Sequence, residues 1–267
     1  MLICSLGDLT LDVLVRLAGP VAVGGDTDAE IRLTPGGQAA NVAAWAAELG
    51  ASARYVGKRG SDEAGRLALA GLEAAGVEVF GPVGERNAVV CSLVSPDGAR
   101  SMAADRGSAG ELRADELDPS WFACDHLFVS GYALLREPAR GAALRAAELA
   151  RAQGAATSVD LSTWSAIRDA GADDFRDTVL ALGPDVVFAN EDEQRIVGGP
   201  FPGMTWILKR GEAGASFDSD ERLALHVERV VDSTGAGDAL AAGYIVGGPD
   251  LALEAAARCV ARLGSMP

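Results

Sequence analysis

Short apolar segments alternate with alanine-rich segments along most of this chain, and this alternation is the strongest constraint on its fold. The apolar segments have the length of β-strands and are Leu2–Leu6, Arg54–Gly57, His126–Ser130, Thr157–Asp160, Asp185–Ala189 and Thr205–Lys209. The alanine-rich segments have helical length and lie near 38–49, 62–75, 139–153, 173–182, 235–247 and 250–262. Several strand segments are apolar without alternation, as expected for strands covered on both faces. The pattern predicts one α/β domain over 1–267 with a doubly wound, mainly parallel sheet.

Two segments interrupt this alternation and predict a second, smaller sheet. Residues 12–35 contain short β-type pieces around Gly24-Gly25-Asp26. Residues 88–105 read as a hairpin with a turn at Ser95-Pro96-Asp97-Gly98. Neither segment fits a strand–helix–strand unit. Ligands of doubly wound sheets bind beyond the carboxyl ends of the strands, so we expect these two segments to cover a ligand site as a lid.

The segment Asp232-Ser233-Thr234-Gly235-Ala236-Gly237-Asp238, directly before a predicted helix, has the features of a phosphoryl-transfer site. Gly235 and Gly237 permit a backbone in which successive N–H groups converge on an anion, and the start of the helix adds to the positive field. A carboxylate is unfavourable in such a place unless it accepts a proton from an attacking hydroxyl. The alternative is an ordinary turn in which Asp238 caps the helix.

Polar residues and glycines near the first predicted strand are candidates for binding a polyol. Asp8 and Asp12 follow that strand, and their carboxylates can accept hydrogen bonds from hydroxyl groups. Gly36 and Gly37 allow close approach of the backbone to a ligand, and Asn41 lies one turn into the next helix. The alternatives are a turn cap for Asp8, a solvated Asp12 and an interior polar role for Asn41.

Later segments supply further candidates, each with a structural alternative. Arg106 is a candidate contact for substrate oxygens, or a surface arginine. Asn190-Glu191-Asp192-Glu193 follows a predicted strand and suits Mg²⁺ with its water ligands, although acidic residues also favour a helix start. The stretch from Lys209 through Gly211 to Gly214 follows another strand and either contacts a nucleotide or only turns the chain.

Charge and composition exclude several classes of partner. The net charge is −15 and the isoelectric point is near 4.5, which makes nucleic acid and anionic membranes unfavourable partners. The chain has no apolar run of membrane-spanning length, no basic leader and no paired-cysteine motif. We therefore expect a soluble, cytoplasmic protein with reduced thiols.

Five motifs in this order resemble the ribokinase/PfkB carbohydrate kinases over nearly the whole chain. They are the opening Gly7-Asp8, the first signature Gly36–Asn41, the GxxGxDxxG loop Gly57–Gly65, the NxxE motif Asn190–Glu193 and the second signature Asp232–Asp238. The resemblance implies a ribokinase-like α/β fold with a small β-sheet lid. It also implies transfer of the γ-phosphoryl group of Mg·ATP to a sugar hydroxyl, and a homodimer formed through the lid.

The resemblance assigns roles to residues that match these motifs. Asp238 is similar to the family's base, and Gly235, Ala236 and Gly237 to its anion hole. The positions that match sugar-binding residues are Asp12, Gly37 and Asn41, with Asp8 adjacent. The positions that match the Mg²⁺ and nucleotide side are Asn190, Glu193, Lys209 and Gly211. Asp232 and Thr234 match positions that in some members help to bind a monovalent cation such as K⁺.

The acceptor stays open between a sugar and a nucleoside. Neither 12–35 nor 88–105 contains an aromatic residue that would stack on a base, which favours a bare sugar of the ribose, ketohexose or keto-deoxy sugar acid type. Arg16, Arg100 and Arg106 would also accommodate an acidic sugar or a sugar phosphate. A third hypothesis is a non-catalytic sugar-binding regulatory protein, which the intact Asp238 and its glycines disfavour.

Overall fold

The structure, a computed structural model, describes residues 1–97 and 100–267. Its strands are β1 Leu2–Leu6, β2 Thr10–Leu17, β3 Ala29–Gly36, β4 Ser52–Val56, β5 Arg59–Gly60, β6 Glu78–Phe80, β7 Val83–Gly84, β8 Ala88–Val94, β9 Arg100–Asp105, β10 His126–Ser130, β11 Ala156–Asp160, β12 Val186–Asn190, β13 Thr205–Lys209, β14 Ala215–Phe217 and β15 Asp220–Arg222. Its α-helices are α1 Gln38–Glu48, α2 Glu63–Ala74, α3 Gly131–Leu134, α4 Ala139–Ala152, α5 Trp164–Ala170, α6 Ala172–Leu182, α7 Glu191–Val197, α8 Ala236–Gly247 and α9 Pro249–Val260.

The main sheet has the strand order β15-β14-β13-β12-β11-β10-β1-β4-β6. All pairings from β13 to β6 are parallel, and only β14 and β15 are antiparallel. The chain runs outward from β1 in both directions, first to β4 and β6 and then to β10 and beyond. This reversal confirms the predicted doubly wound sheet and puts a crevice at the carboxyl end of β1.

Two apolar layers cover the main sheet and explain why its strands lack alternation. On one face Ile3, Phe128 and Phe188 pack in a cluster with residues of α1, α8 and α9. On the other face Leu127 and Val129 pack in a cluster with residues of α4 and α6. Successive residues of β10 thus enter opposite layers, and both layers are buried. Within the described ranges, no helix combines the length and the apolar character needed to cross a bilayer.

The two segments that interrupt the alternation form a separate sheet with the order β3-β2-β8-β9, as the sequence predicts. β2 pairs antiparallel with β3 and parallel with β8, and β8 pairs antiparallel with β9. We refer to β3-β2-β8-β9 as the small sheet. The predicted hairpin turn extends to Gly98, which lies outside the described residues.

The sequence analysis missed several short elements. The helix α5 and the strands β6 and β15 are shorter than the periodic patterns on which the prediction depended. Asp62 caps the start of α2, where its Oδ1 accepts the Gly65 N–H at 2.9 Å. Asp62 also accepts the Asn87 N–H, which fixes the loop before β8 to the start of α2.

Candidate functional site

Three adjacent parallel strands end in polar side chains at one edge of the main sheet. Asp160 ends β11, Asn190 ends β12 and Lys209 ends β13. Asn190 and Lys209 are direct partners in the β12–β13 register. Since the carboxyl ends of parallel strands meet at the same edge, these residues form the floor of a cleft.

A buried ion pair joins two of these strand ends. Lys209 Nζ lies 2.8 Å from Asp160 Oδ1 and 2.6 Å from Oδ2, and Asp160 is fully buried. The Ser162 N–H also donates to Asp160 Oδ1. Burial alone lowers the pKa of Lys209, but the charges of Asp160 and Glu193 outweigh it and raise the pKa above its usual value. The site therefore contains a permanently charged ammonium group.

The glycine turn before α8 lies against this ammonium group. Gly235 has a φ of +79°, which favours glycine, and α8 begins at Ala236. A Cβ atom built on Gly237 would lie 3.3 Å from Lys209 Nζ. The start of α8 and the Lys209 cation thus lie next to each other, which is an arrangement suited to a phosphate-like anion.

Asp238 occupies the first turn of α8 at the edge of this anion site. Burial raises its pKa from 3.8 to about 8, and the charge of Asp160 acts in the same direction. The hydrogen bond from Asn41 and the charge of Lys209 oppose that rise. A carboxylate whose pKa is raised and that has a cation nearby is suited to accept a proton near neutral pH.

Asn41 contacts the Asp238 carboxylate. Its Nδ2 donates to Asp238 Oδ2 at 2.7 Å, and its Oδ1 accepts the Ser265 hydroxyl at 3.0 Å. Asn41 is only 5% exposed, and hydrogen bonds hold both ends of its amide group. Asn41 thus orients the carboxylate of Asp238, and its expected contact with the sugar stays a prediction.

Asp8 and Asp12 lie where β1 leads into β2. Asp8 is buried, and its Oδ1 accepts the Ser130 hydroxyl. Burial raises the pKa of Asp12 to about 6, although the hydrogen bond from Thr10 opposes the rise. The small sheet thus brings a second carboxylate to the cleft.

The paired glycines Gly36 and Gly37 pack directly on these acids. A side chain at Gly36 would collide with the Asp12 carboxylate. Gly37 has a φ of +98°, and a Cβ there would lie 2.5 Å from the backbone oxygen of Asp8. Both glycines are therefore required for the turn between β3 and α1 to close over the strand end.

Comparison with known proteins follows from this geometry. The sequence profile of the family described as "pfkB family carbohydrate kinase" matches residues 2–266. This chain belongs to that family. The family is one of phosphotransferases with an alcohol group as acceptor, and the chain is a sugar kinase of this family.

Relatives in sequence support the same assignment. An ATP-dependent ribose-1-phosphate kinase of Halopiger xanaduensis is 32% identical over 96% of this chain and 90% of its own length. Fructokinase-1 of Zea mays is 31% identical over 89% of this chain and 80% of its own length.

Solved structures share the ribokinase-like fold. The structure of adenosine kinase from Sinorhizobium meliloti aligns with a TM-score of 0.87 at 23% identity, over 99% of this chain and 95% of that one. A putative ribokinase II from E. coli, in complex with ATP and Mg²⁺, aligns with a TM-score of 0.81 at 22% identity, over 99% of this chain and 94% of that one.

The NxxE residues of this PfkB chain form a helix cap. Asn190 Oδ1 accepts the Glu193 N–H at 2.9 Å, and Glu193 Oε2 accepts the Asn190 N–H at 2.9 Å. Asn190 Nδ2 also donates to Glu193 Oε1. The helix start that was the structural alternative for this motif is therefore present, since α7 begins at Glu191. Burial raises the pKa of Glu193, and each of its oxygens keeps a lone pair that can accept a hydrogen bond from water.

Asp232 and Thr234 close the other side of the glycine turn. Asp232 Oδ1 accepts both the N–H and the hydroxyl of Thr234, and Oδ2 accepts the Gly264 N–H at 3.2 Å. In the part of the chain that the structure describes, no group of three or more His, Cys, Asp or Glu side chains converges as a metal site.

The two glycines after β13 have different roles. Open space lies over Gly211, which has a φ of +57°. A side chain at Gly214 would collide with the backbone oxygen of Arg222 in β15. Gly211 is thus free to border a ligand, whereas Gly214 is required by the packing of the β14–β15 hairpin.

Arg106 lies apart from the glycine turn, in a neighbouring cavity of about 400 Å³ that also reaches Asp8. Its guanidinium carbon lies 4.2 Å from the centre of the Tyr132 ring. The sequence analysis did not single out Tyr132. Ser265 was likewise given no role from the sequence, and Asp160 was placed only at the end of a predicted strand. Asp160 had a usable signal, because it ends an apolar strand.

The raised pKa of Asp238 predicts a pH-dependent gain in stability for Asp238→Asn. Between about pH 4 and pH 8 the folded protein holds a proton on Asp238, while the unfolded chain has lost it. Unfolding then releases a proton, so this group destabilises the fold increasingly as the pH rises through that window. Asparagine does not titrate. The difference in Tm between Asp238→Asn and wild type should therefore grow from pH 5 to pH 8.

The exposed loop variant Asp26→Asn is the control for a general loss of negative charge. Its Tm should differ from that of wild type by the same amount at both pH values. A stability difference for Asp238→Asn that does not change with pH would contradict the raised pKa.

Proposed function

We propose that this protein transfers the γ-phosphoryl group of Mg·ATP to a hydroxyl of a small sugar, with Asp238 as the base. The main support for this proposal is the position of Asp238. Its carboxylate belongs to the same helical turn as the anion site of Gly235, Ala236 and Gly237. An acceptor hydroxyl bound to Asp238 would thus meet a phosphoryl group held by the backbone N–H groups.

The anion site would stabilise charge on the phosphoryl group during transfer. Phosphoryl transfer needs alignment and charge neutralisation more than covalent chemistry from the protein. Lys209 supplies a cation next to Gly237, and the start of α8 supplies backbone N–H groups. Asp160 would hold Lys209 in place through the buried ion pair.

The sugar would bind on the side of Asp8 and Asp12. Their carboxylates accept hydroxyl hydrogen bonds, and Gly36 and Gly37 let the backbone approach the ring. We propose that the small sheet acts as the lid of this site, since it carries Asp12. Closing such a lid would exclude water, which competes with the sugar for the phosphoryl group.

The nucleotide side would use residues at the ends of β12 and β13. The related E. coli structure holds ATP and Mg²⁺, and the residues here fit a metal ion that enters with the nucleotide. Glu193 would accept hydrogen bonds from metal-bound water, and Asn190 would hold that carboxylate. Gly211 and Thr234 would border the nucleotide, and Gly214 would shape the turn behind it. For K⁺, Asp232 is the proposed ligand.

A sugar acceptor is favoured over a nucleoside. The residues that the structure describes in β2, β3, β8 and β9 contain no aromatic ring to stack on a base. Relatives with 31–32% identity are named as kinases of ribose 1-phosphate and fructose. The resemblance to adenosine kinase is one of fold.

Replacing the base tests this function. Asp238→Asn should lower kcat by about 100-fold or more, because general-base catalysis contributes about 10²- to 10⁴-fold. ADP release would be measured with Mg·ATP across pentoses, ketohexoses, sugar acids and nucleosides. The exposed variant Asp173→Asn, on α6, is the matched control and should keep the wild-type rate.

The outcomes separate the three hypotheses. Retention of more than a tenth of the rate, which is a barrier change below about 1.4 kcal/mol, would exclude Asp238 as the essential base. Turnover only on nucleosides would favour the nucleoside kinase. Sugar binding without any turnover would favour the non-catalytic regulatory protein.

We also propose a homodimer through the outer face of the small sheet. In the strand register Val13 pairs with Leu33 and Cys91, so these apolar residues share one face. Ile31 and Leu33 are 62% and 56% exposed. Asp12 points to the opposite face, because side chains alternate along a strand. The exposed apolar face is thus available to a second copy of the chain.

Charge on this face should separate the subunits. Ile31→Glu would place a carboxylate in the apolar interface and should convert a dimer to a monomer in sedimentation or light scattering. Val23→Glu alters an exposed loop residue outside the small sheet and should leave the dimer intact. A wild-type protein that is monomeric at tens of micromolar would contradict the proposal.

A further inference from the structure

The cavity beside Asp8 is the most distinctive feature that the transfer site does not use. It has a volume of about 400 Å³ and lies between the carboxyl end of β1 and the segment that follows β10. Its charged and aromatic lining comes from Asp8, Arg106, Tyr132, Arg136, Glu137 and Asp169. Its size suits the part of a small acceptor that extends away from the reacting hydroxyl.

Both arginines face this cavity without a carboxylate partner. Among the described residues, neither Arg106 nor Arg136 has a carboxylate within ion-pair distance. Of the acids on the rim, Glu137 keeps its charge while its Oε2 accepts the Gly141 N–H, and Asp169 pairs with Arg168. Two guanidinium groups are thus available to an anion.

Tyr132 holds one of these arginines in place. The guanidinium carbon of Arg106 lies 4.2 Å from the centre of the Tyr132 ring, within the range of a cation–π contact. Stacking fixes the plane of the guanidinium group, and Arg106 is also hydrogen-bonded to the Tyr132 phenol, which leaves the other edge N–H groups to donate to a ligand. Those edges are the part of arginine that binds phosphate or carboxylate in a bidentate manner.

The cavity is continuous with the acceptor side of the site. Asp8 lines it, and Asp8 lies close enough to Asp238 for its charge to act on that carboxyl group. Tyr132 lies near both acids: burial raises the pKa of its phenol, and the charges of Asp8 and Asp238 act in the same direction. A molecule with a hydroxyl at Asp238 can therefore extend past Asp8 to the arginines.

We propose that Arg106 and Arg136 bind a phosphate group of the acceptor, so that the substrate is a phosphorylated sugar. This inference rests on the proposed kinase function and names its substrate class. A phosphate dianion matches two guanidinium groups in charge, whereas a carboxylate needs only one. In a protein of net charge −15, two cations without carboxylate partners in one cavity are a specific recognition feature.

The reaction that follows is a balanced phosphoryl transfer. The acceptor hydroxyl oxygen forms a bond to the γ-phosphorus, and the bond from that phosphorus to the β,γ-bridging oxygen breaks. The hydroxyl proton passes to Asp238, and ADP leaves. The product is a sugar bisphosphate. The phosphate bound by the arginines takes no part in the bond changes.

Paired acceptors test the inference. ADP release would be measured with Mg·ATP on ribose, ribose 1-phosphate and ribose 5-phosphate, on fructose and fructose 1-phosphate, and on a 2-keto-3-deoxy sugar acid. We expect kcat/KM for one phosphorylated sugar to exceed that of its neutral parent by about 100-fold or more, since hydrogen bonds to charged groups are among the strongest. Equal values for each pair, or a preference for the sugar acid, would overturn the inference.

Arginine variants identify the groups responsible. Arg106→Met and Arg136→Met should each raise KM for the phosphorylated sugar by about 10-fold or more and leave KM for ATP unchanged. The same variants should leave KM for the neutral parent within about 2-fold, which a general structural defect would not. Arg145→Met, on the exposed face of α4, is the matched control. An unchanged KM for the phosphorylated sugar in both variants would overturn the assignment.

A binding measurement distinguishes failure of this inference from failure of the kinase function. Calorimetry with ribose 5-phosphate and with ribose 1-phosphate would be performed on Asp238→Asn, alone and combined with Arg106→Met. Binding that the arginine substitution abolishes would support the phosphate subsite even without turnover. Turnover of neutral sugars, with no binding of either phosphorylated sugar, would support the kinase function and overturn this inference.

Discussion

The buried pair of Asp160 and Lys209 is the interaction on which the rest of the site depends. Two charges removed from water at a strand end are tolerated only because each has its partner within hydrogen-bond distance. The sheet places Asp160 and Lys209 within this distance of each other, since β11 and β13 end on either side of β12. Removing one partner would leave an uncompensated buried charge beside the glycine turn.

The same pair accounts for the electrostatics of Asp238. Lys209 is shared among Asp160, Glu193 and Asp238, so the cluster contains more acids than bases. Burial and this imbalance together raise the pKa of Asp238 to about 8, and a cation bound with the nucleotide would lower it again, so that the carboxylate can accept the hydroxyl proton. A site with such an imbalance gains stability from an added cation. This explains in physical terms why a nucleotide bound with a metal ion suits a cleft in an acidic protein.

Much of the fold could be predicted from sequence because strand and helix patterns are local. The doubly wound sheet, the small sheet and the glycine turn at Gly235 each left a sequence signal. The contact of Asn41 with Asp238 left none, since 197 residues separate them and only the packing of α1 beside α8 joins them. Likewise, nothing local indicates that Arg136 and Arg106 share a cavity. Short elements such as α5 were missed because one or two turns carry little periodicity.

A crystal structure of Asp238→Asn with Mg·ATP and the acceptor tests the central claim most directly. The account predicts that the γ-phosphate lies on the N–H groups of the Gly235–Gly237 turn, beside Lys209. It further predicts that one acceptor hydroxyl lies within hydrogen-bond distance of residue 238 and in line with the bond to be broken. A γ-phosphate bound elsewhere, or an acceptor whose nearest hydroxyl is out of reach of residue 238, would contradict it.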